Sequence, residues 1–106
     1  PQGYEAHLSL MADAALVITD SGGMPTECAV LGVPCASLRT NLEHRTPVAT
    51  GAVRLVGAEE AALRQALEDA RTDAWGPVTP HPLWDGDAGR RIARALQRWL
   101  ASRAAR

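Results

Sequence analysis

The fold of this chain is decided by residues 15–23, which read ALVITDSGG. Residues 15–19 are a continuous and partly β-branched apolar run, which is typical of a strand buried on both faces of a parallel sheet. The run stops at Asp20 and two glycines, and the next segment has Pro25 near its start and Gly32 just past its end. Proline in the first turn of a helix and glycine just after the last turn are common signals for the start and the end of a helix. The stretch therefore predicts a strand, a tight turn and a helix.

Helix and strand patterns alternate outward from this stretch. Apolar periodicity predicts helices over residues 4–14 and 58–71 and from Asp87 onward. Short apolar runs predict strands over residues 34–38 and 53–56. Residues 39–46 and 72–86 are expected to be loops. This alternation implies an α/β, three-layer Rossmann-like fold, a parallel sheet with flanking helices.

The predicted sheet is small, and this indicates an incomplete domain. Sheets commonly have five or six strands, whereas only three are predicted here. The chain also opens with Pro1 rather than an initiator Met. We therefore expect it to be a piece of a longer protein.

Composition excludes several classes of function. A net charge of −1 argues against a dedicated nucleic-acid binder, and no apolar stretch approaches the roughly 20 residues of a membrane span. Two cysteines are too few for a disulfide scaffold, and there is no signal peptide, so we expect a cytoplasmic protein. Six of the 11 arginines lie in residues 90–106, and five of the 12 acidic residues lie in residues 59–73. We interpret both clusters as solvated helix faces, or the basic one as a face that docks on an absent domain.

The turn after the first strand is a candidate anion site. Ligands of open α/β sheets bind beyond the carboxyl ends of the strands. Gly22 and Gly23 allow close approach of a phosphate, the first helix amides point outward, and Ser21 adds a hydroxyl donor. Glu27, one turn into the helix, is placed to hold ribose hydroxyls. The simpler alternatives are a capped tight turn and a solvated carboxylate.

A second interpretation of this turn is the nucleophile loop of chymotrypsin-like proteases, which also contains Asp-Ser-Gly-Gly. Those proteases are all-β and have a catalytic His and Asp well upstream. Here His7 is the single histidine before Ser21, and a helix is predicted to follow. The context therefore argues against this interpretation.

Other reactive or aromatic side chains fit structural roles. Cys28 and Cys35 are expected to be small buried apolar residues, with metal ligation or redox chemistry as the alternative. Trp84 is expected to anchor its loop. Trp99 is expected to lie in the core or to anchor an absent domain.

The predicted loop over residues 72–86 contains three prolines and is called the proline-rich loop below. A metal cluster at its end is the weaker of two interpretations. His81, Asp85 and Asp87 are the candidate ligands, but Gly86 and Asp87 fit a turn and a helix cap better. We therefore predict no metal site and no cofactor.

Short motifs in a characteristic order identify a family resemblance. The segments that carry it are residues 1–4 with Leu10 and Met11, residues 18–23 with Glu27, residues 38–41 with Glu43, Gly51 with residues 55–57, and residues 84–86 with Ala88, Arg91 and Ile92. Together they resemble the non-hydrolysing UDP-N-acetylglucosamine 2-epimerases, whose fold pairs two Rossmann-like domains as in GT-B glycosyltransferases. The resemblance implies that residues 1–106 are an incomplete C-terminal UDP-binding domain.

The resemblance also implies a set of roles. Ser21, Gly22 and Gly23 would contact the diphosphate, Glu27 would bind the ribose, and Gln2 would lie near the uracil. The reaction would interconvert UDP-GlcNAc and UDP-ManNAc by elimination and re-addition of UDP. Its acid/base groups would lie on an absent N-terminal catalytic domain, so no catalytic residue is expected in this chain. The expected partners are the UDP-sugar, that N-terminal domain and, in the full-length protein, a second copy.

One departure from the family pattern concerns positive charge. His44 stands where the family has a substrate-binding arginine, so either His44 or Arg45 would supply that charge. A GT-B glycosyltransferase, a hydrolysing epimerase and a non-catalytic nucleotide-binding module are the alternative functions.

Overall fold

The computed structural model describes residues 1–105, so that Arg106, the last of the clustered arginines, lies outside the described residues. The elements are α1 Tyr4–Ala12, β1 Val17–Thr19, α2 Met24–Leu31, β2 Cys35–Ser37, α3 Thr46–Ala49, β3 Val53–Leu55, α4 Glu60–Arg71 and α5 Ala88–Ala104. The predicted alternation of strands and helices is thereby confirmed.

The three strands form one parallel sheet in the order β1-β2-β3. Thr19 is opposite Ser37, and Ser37 is opposite Leu55. The carboxyl ends of all three strands therefore meet at one edge of the sheet. The segment with α2 that joins β1 to β2 begins at this edge.

Helices cover both faces of the sheet, because successive strand side chains point to opposite sides. On one face, Cys35 packs in a buried cluster with Met11 of α1 and Cys28 of α2. On the other face, Ala36 packs with Ala66 of α4. The predicted three-layer arrangement is thus confirmed for the residues described.

Helix α2 begins and ends with the expected residues. Pro25 lies in its first turn, and Gly32 ends it in the left-handed region with φ of 73°. Gly51, between α3 and β3, is also left-handed, with φ of 83°. A Cβ atom at Gly51 would lie 2.6 Å from the carbonyl oxygen of Pro77, so the position accommodates only glycine.

Two local predictions about the sheet region were wrong. Residues 46–49 form a short helix that begins beside the buried Pro47, although the loop was expected to continue through residue 46 and no helix was predicted. A single turn is too short to show an apolar period. Ile18 was expected to be buried, but it is 44% exposed because no element covers that part of β1.

The tryptophans also differ from expectation. Trp75 is the buried anchor of the proline-rich loop, at 8% exposure, and its indole Nε1 donates to the Gly51 carbonyl at 3.0 Å. Trp84 is 36% exposed, so it is not the main anchor. Trp99 is 51% exposed and α5 has no buried residue, so Trp99 is not part of this core.

Asp87 occupies the N-cap position of α5, as predicted, but its side chain makes no capping hydrogen bond. The carboxylate pairs with Arg90 instead. Over residues 1–105, no helix is both long enough and apolar enough to cross a membrane.

Candidate functional site

The loop at residues 20–23 is held at the carboxyl edge of the sheet by Thr19. This side chain is buried at 8% exposure. Its Oγ1 accepts a hydrogen bond from the Ser21 amide at 3.0 Å and contacts the Met24 sulfur at 3.3 Å. The last residue of β1 therefore fixes both ends of the turn.

The hydroxyl oxygen of Ser21 accepts hydrogen bonds from two amides at the start of α2, so these amides are not free. Its Oγ accepts from the Gly23 amide at 3.2 Å and from the Met24 amide at 3.4 Å. We expected these first amides to point outward without a partner, and that expectation was wrong because the serine satisfies them. Since both bonds use the oxygen as an acceptor, the hydroxyl proton stays available as a donor to an anion.

Gly22 carries a free amide in the loop. Its N–H has no hydrogen-bond partner in the part of the chain that the structure describes. A Cβ atom placed on Gly22 would lie 3.0 Å from Nη1 of Arg39, so the guanidinium lies directly beside this glycine. The loop thus combines an amide, a hydroxyl and a nearby guanidinium, all of them donors suited to a phosphate.

Glu27 lies in the first turn of α2 and is half-buried. The hydroxyl of Tyr4 donates to its Oε1 at 3.3 Å. This contact joins the start of α1 to the site. Gln2 is exposed and lies two residues before Tyr4, within about 7 Å of it along an extended chain. The Tyr4–Glu27 contact therefore places the start of α1 near the first turn of α2, whereas no contact joins Gln2 to the loop within the described residues.

The two side chains expected to replace the family's arginine are both exposed. His44 and Arg45 lie just before α3, and Arg45 occupies its N-cap position. Neither forms a salt bridge with another described residue. The structure therefore leaves both available, without favouring either.

The two cysteine thiols are buried, and Asp85 of the candidate metal cluster forms a salt bridge. Cys28 and Cys35 are fully buried free thiols between α2 and β2. A hydrogen bond with Cys28, together with burial, raises the pKa of the Cys35 thiol. The carboxylate of Asp85 pairs with Arg91 at 2.8 Å, and this pairing lowers the pKa of Asp85.

Two surface cavities lie beside the sheet. A small one of about 230 Å³ lies beyond the ends of β2 and β3, between Leu38, Gly57 and Leu63. A larger groove of about 850 Å³ lies on the α4 side of β1, beside Leu16 and Leu67. The larger groove is apolar and away from the glycine loop, so it is not part of the candidate site.

Sequence reasoning missed three residues of the site. Thr19 was assigned to the strand and to the motif over residues 18–23, and Tyr4 and Arg39 only to motifs, so none of the three was given a role of its own in the site. Arg39 is 17 residues from Gly22 in the sequence, so only the pairing of β1 with β2 brings them together. A signal for Thr19 existed, because threonine at a strand end readily bonds the amide two residues later.

Comparison with known proteins supplies an independent line of evidence. A family model described as UDP-N-acetylglucosamine 2-epimerase matches residues 1–97. The UDP-N-acetylglucosamine 2-epimerase of Methanocaldococcus jannaschii is 39% identical over 98 residues, which are 91% of this chain and 26% of that protein. The enzyme of the same name from Escherichia coli strain K12 is 35% identical over 101 residues, 92% of this chain and 27% of that protein.

Solved structures give the same result. A crystal structure of the M. jannaschii enzyme in complex with UDP-GlcNAc and UDP superposes with a TM-score of 0.74 at 38% identity, covering 92% of this chain and 26% of that one. The Neisseria meningitidis enzyme bound to UDP-GlcNAc gives a TM-score of 0.71 at 28% identity, covering 92% of this chain and 28% of that one. The chain thus spans about a quarter of the length of the relatives it matches.

Proposed function

Because the chain belongs to the UDP-N-acetylglucosamine 2-epimerase family, we propose that it forms the UDP-binding part of an enzyme that interconverts UDP-GlcNAc and UDP-ManNAc. The observation that carries the proposal is the loop at residues 20–23. It offers the Gly22 amide and the Ser21 hydroxyl at the carboxyl edge of a parallel sheet. This is the edge at which open α/β sheets bind their ligands.

The proposed roles follow from the donors present. Ser21, Gly22 and Gly23 hold the diphosphate, because small residues there leave room for a phosphate beside the main chain. Glu27 accepts hydrogen bonds from the ribose hydroxyls, and Gln2 lies near the uracil. A carboxylate suits ribose because it is an acceptor for two adjacent hydroxyl donors.

In this reaction the chain would bind UDP, and it would not supply the acid/base groups. Epimerisation at C2 removes the C2 proton as UDP leaves, and then returns UDP with proton delivery to the opposite face. The departing diphosphate gains negative charge, which the donors at the loop would stabilise. The acid/base groups at the sugar ring would come from the rest of the protein, which in the relatives accounts for about three quarters of the length.

The remainder of the protein would also cover the apolar surfaces that this chain leaves exposed. They are the groove beside β1 and the apolar stripe of α5, formed by Ile92, Leu96, Trp99 and Leu100. Residues 1–106 are thus proposed to be part of the C-terminal domain, completed by further strands and an N-terminal catalytic domain. Two free thiols suit a cytoplasmic protein. By family resemblance the full-length protein is proposed to be a dimer, which sedimentation velocity would test.

Calorimetric titration with UDP tests the nucleotide site directly. Glu27→Ala should weaken saturable binding of UDP by the purified chain. Ser21→Ala alone is ambiguous, because it also removes the acceptor of two amides at the start of α2. Ser21→Asp resolves this, since a carboxylate can also accept hydrogen bonds from these amides but would repel the diphosphate. We expect Ser21→Asp to fold and to lose UDP binding. Tight UDP binding by a folded Ser21→Asp chain would contradict the proposed site.

Product analysis of the full-length protein tests the reaction. Formation of UDP-ManNAc from UDP-GlcNAc would support the epimerase. Free sugar plus UDP would indicate a hydrolysing epimerase, and a glycosylated acceptor would indicate a glycosyltransferase. The 106-residue chain alone should show no epimerisation, and measurable turnover by it would contradict the proposed division of roles.

A further inference from the structure

Arg39 has a placement that neither its family motif nor its local sequence explains. Its guanidinium occupies the space beside Gly22, with Nη1 3.0 Å from where a Cβ atom at that glycine would be. The side chain is half-buried, and it forms no salt bridge within residues 1–105. A positive charge therefore lies next to a free amide of the loop, and no carboxylate of residues 1–105 forms a salt bridge with it.

The main chain of Arg39 is anchored by the sheet. The Leu38 amide donates to the Thr19 carbonyl at 2.8 Å, which ties the end of β2 to the end of β1. The Arg39 amide donates to Oγ of the fully buried Ser37 at 3.4 Å. The base of the Arg39 side chain is thus fixed relative to the glycine loop, and less conformational entropy remains to be lost on binding.

We propose that Arg39 is the cation that binds the diphosphate of the nucleotide, in place of His44 or Arg45. This inference rests on the proposed UDP site and extends it by one residue. Arginine is charged at all relevant pH values and presents several N–H donors to phosphate oxygens. His44 is only partly charged near neutral pH, and Arg45 is exposed at the start of α3. Among these three residues, Arg39 is the one whose guanidinium lies beside Gly22 of the loop.

The position of Arg39 also gives a reason for glycine at residue 22. A methyl group at this position would lie 3.0 Å from Nη1 of Arg39, so the guanidinium would have to shift by a few tenths of an ångström. Gly23 has no heavy atom within 4 Å of its added Cβ. The first glycine therefore makes room for Arg39, and the second leaves space on the ligand side.

Binding of UDP and of uridine separates a role at the diphosphate from a structural role. Arg39→Gln should weaken UDP binding by about tenfold or more, because one charge-assisted contact is lost. Uridine lacks phosphates, so its affinity should not change. Arg39→Lys should recover part of the UDP affinity. The matched control is Arg98→Gln on exposed α5, which removes the same charge and should bind UDP like the wild type.

Salt dependence gives a second readout, since screening weakens exposed charge interactions. UDP binding by the wild type should fall more steeply with salt than binding by Arg39→Gln. Wild-type UDP affinity in a folded Arg39→Gln chain would overturn the inference and leave the nucleotide site standing. Equal losses for UDP and uridine would also overturn it, by showing a structural role. Failure of the wild-type full-length protein to bind UDP would instead contradict the proposed function, and the inference with it.

Discussion

The guanidinium of Arg54 lies 4.0 Å from the centroid of the Trp75 indole ring and donates to the Trp75 carbonyl at 2.9 Å. Arg54 also pairs with Asp69 of α4, which lowers the pKa of that carboxyl group. A strand, a helix and the proline-rich loop are therefore joined at one point. This cluster stabilises the α4 face of the sheet.

Replacing Trp75 should be the most damaging change in the proline-rich loop. Trp75→Ala removes a buried aromatic side chain and should lower the free energy of unfolding by about 3–5 kcal/mol. Trp84→Ala is the matched control, because Trp84 is 36% exposed, and should cost about 1 kcal/mol or less. Urea unfolding followed by circular dichroism measures both. Equal losses would show that Trp84 anchors the loop as much as Trp75 does.

Gly51→Ala should destabilise the chain through both backbone strain and a steric clash. A non-glycine residue in the left-handed region costs about 1–3 kcal/mol, and the new Cβ would meet the Pro77 oxygen at 2.6 Å. Gly76 is also left-handed, with φ of 96°, but nothing lies within 4 Å of its added Cβ. Gly76→Ala should therefore cost less than Gly51→Ala in thermal unfolding. The reverse order would contradict the close approach at Gly51.

Tyr4→Phe should weaken nucleotide binding through Glu27. Without the phenol the carboxylate loses the donor that holds Oε1, so UDP affinity should fall about threefold. A UDP analogue without the ribose 2′ and 3′ hydroxyls is the control ligand. Its weaker binding should be unaffected by either Tyr4→Phe or Glu27→Gln. Loss of affinity for this analogue too would mean that Tyr4 stabilises the fold rather than the ribose contact.

The buried thiol of Cys35 should make the chain sensitive to alkaline pH. The hydrogen bond with Cys28 and burial raise the pKa of Cys35 above its ordinary value of 9.0. Below that value the thiol is protonated in both states, and the full stabilisation is present. Above it the unfolded chain releases the proton first and binds fewer protons than the folded chain. The free energy of unfolding should therefore fall as pH rises.

Urea unfolding at about pH 8 and about pH 10 measures this loss. The Cys35→Ala variant should show a shallower dependence on pH, because the raised pKa is gone. The same slope in both proteins would rule out Cys35 as the group responsible.

Strand β1, the turn after it and helix α2 could be predicted because their signals are local. The apolar run before Asp20, the glycines, Pro25 and Gly32 each act within a few residues. The same holds for α4, whose apolar face recurs over three turns. Helix α3 could not be predicted, since four residues hold no period and its start depends on the burial of Pro47.

The positions of the candidate site residues around the helix start could be predicted from the sequence, whereas their hydrogen bonding could not. Ser21 and Glu27 were identified from their positions around the helix start. The capping of two amides by Ser21 depends on a side-chain rotation that spacing does not determine. The approach of Arg39 to Gly22 depends on strand pairing, and Trp99 is exposed because α5 has no buried residue.

The 17-residue helix α5 has no buried residue, so its stability is that of a peptide helix. Its backbone amides should exchange with solvent deuterium by fast local fraying, whereas those of β2 should exchange only when the whole fold opens. Covering the apolar stripe would slow exchange in α5 and leave β2 nearly unchanged. The deuterium uptake of this one helix would therefore report whether the rest of the protein has docked on it.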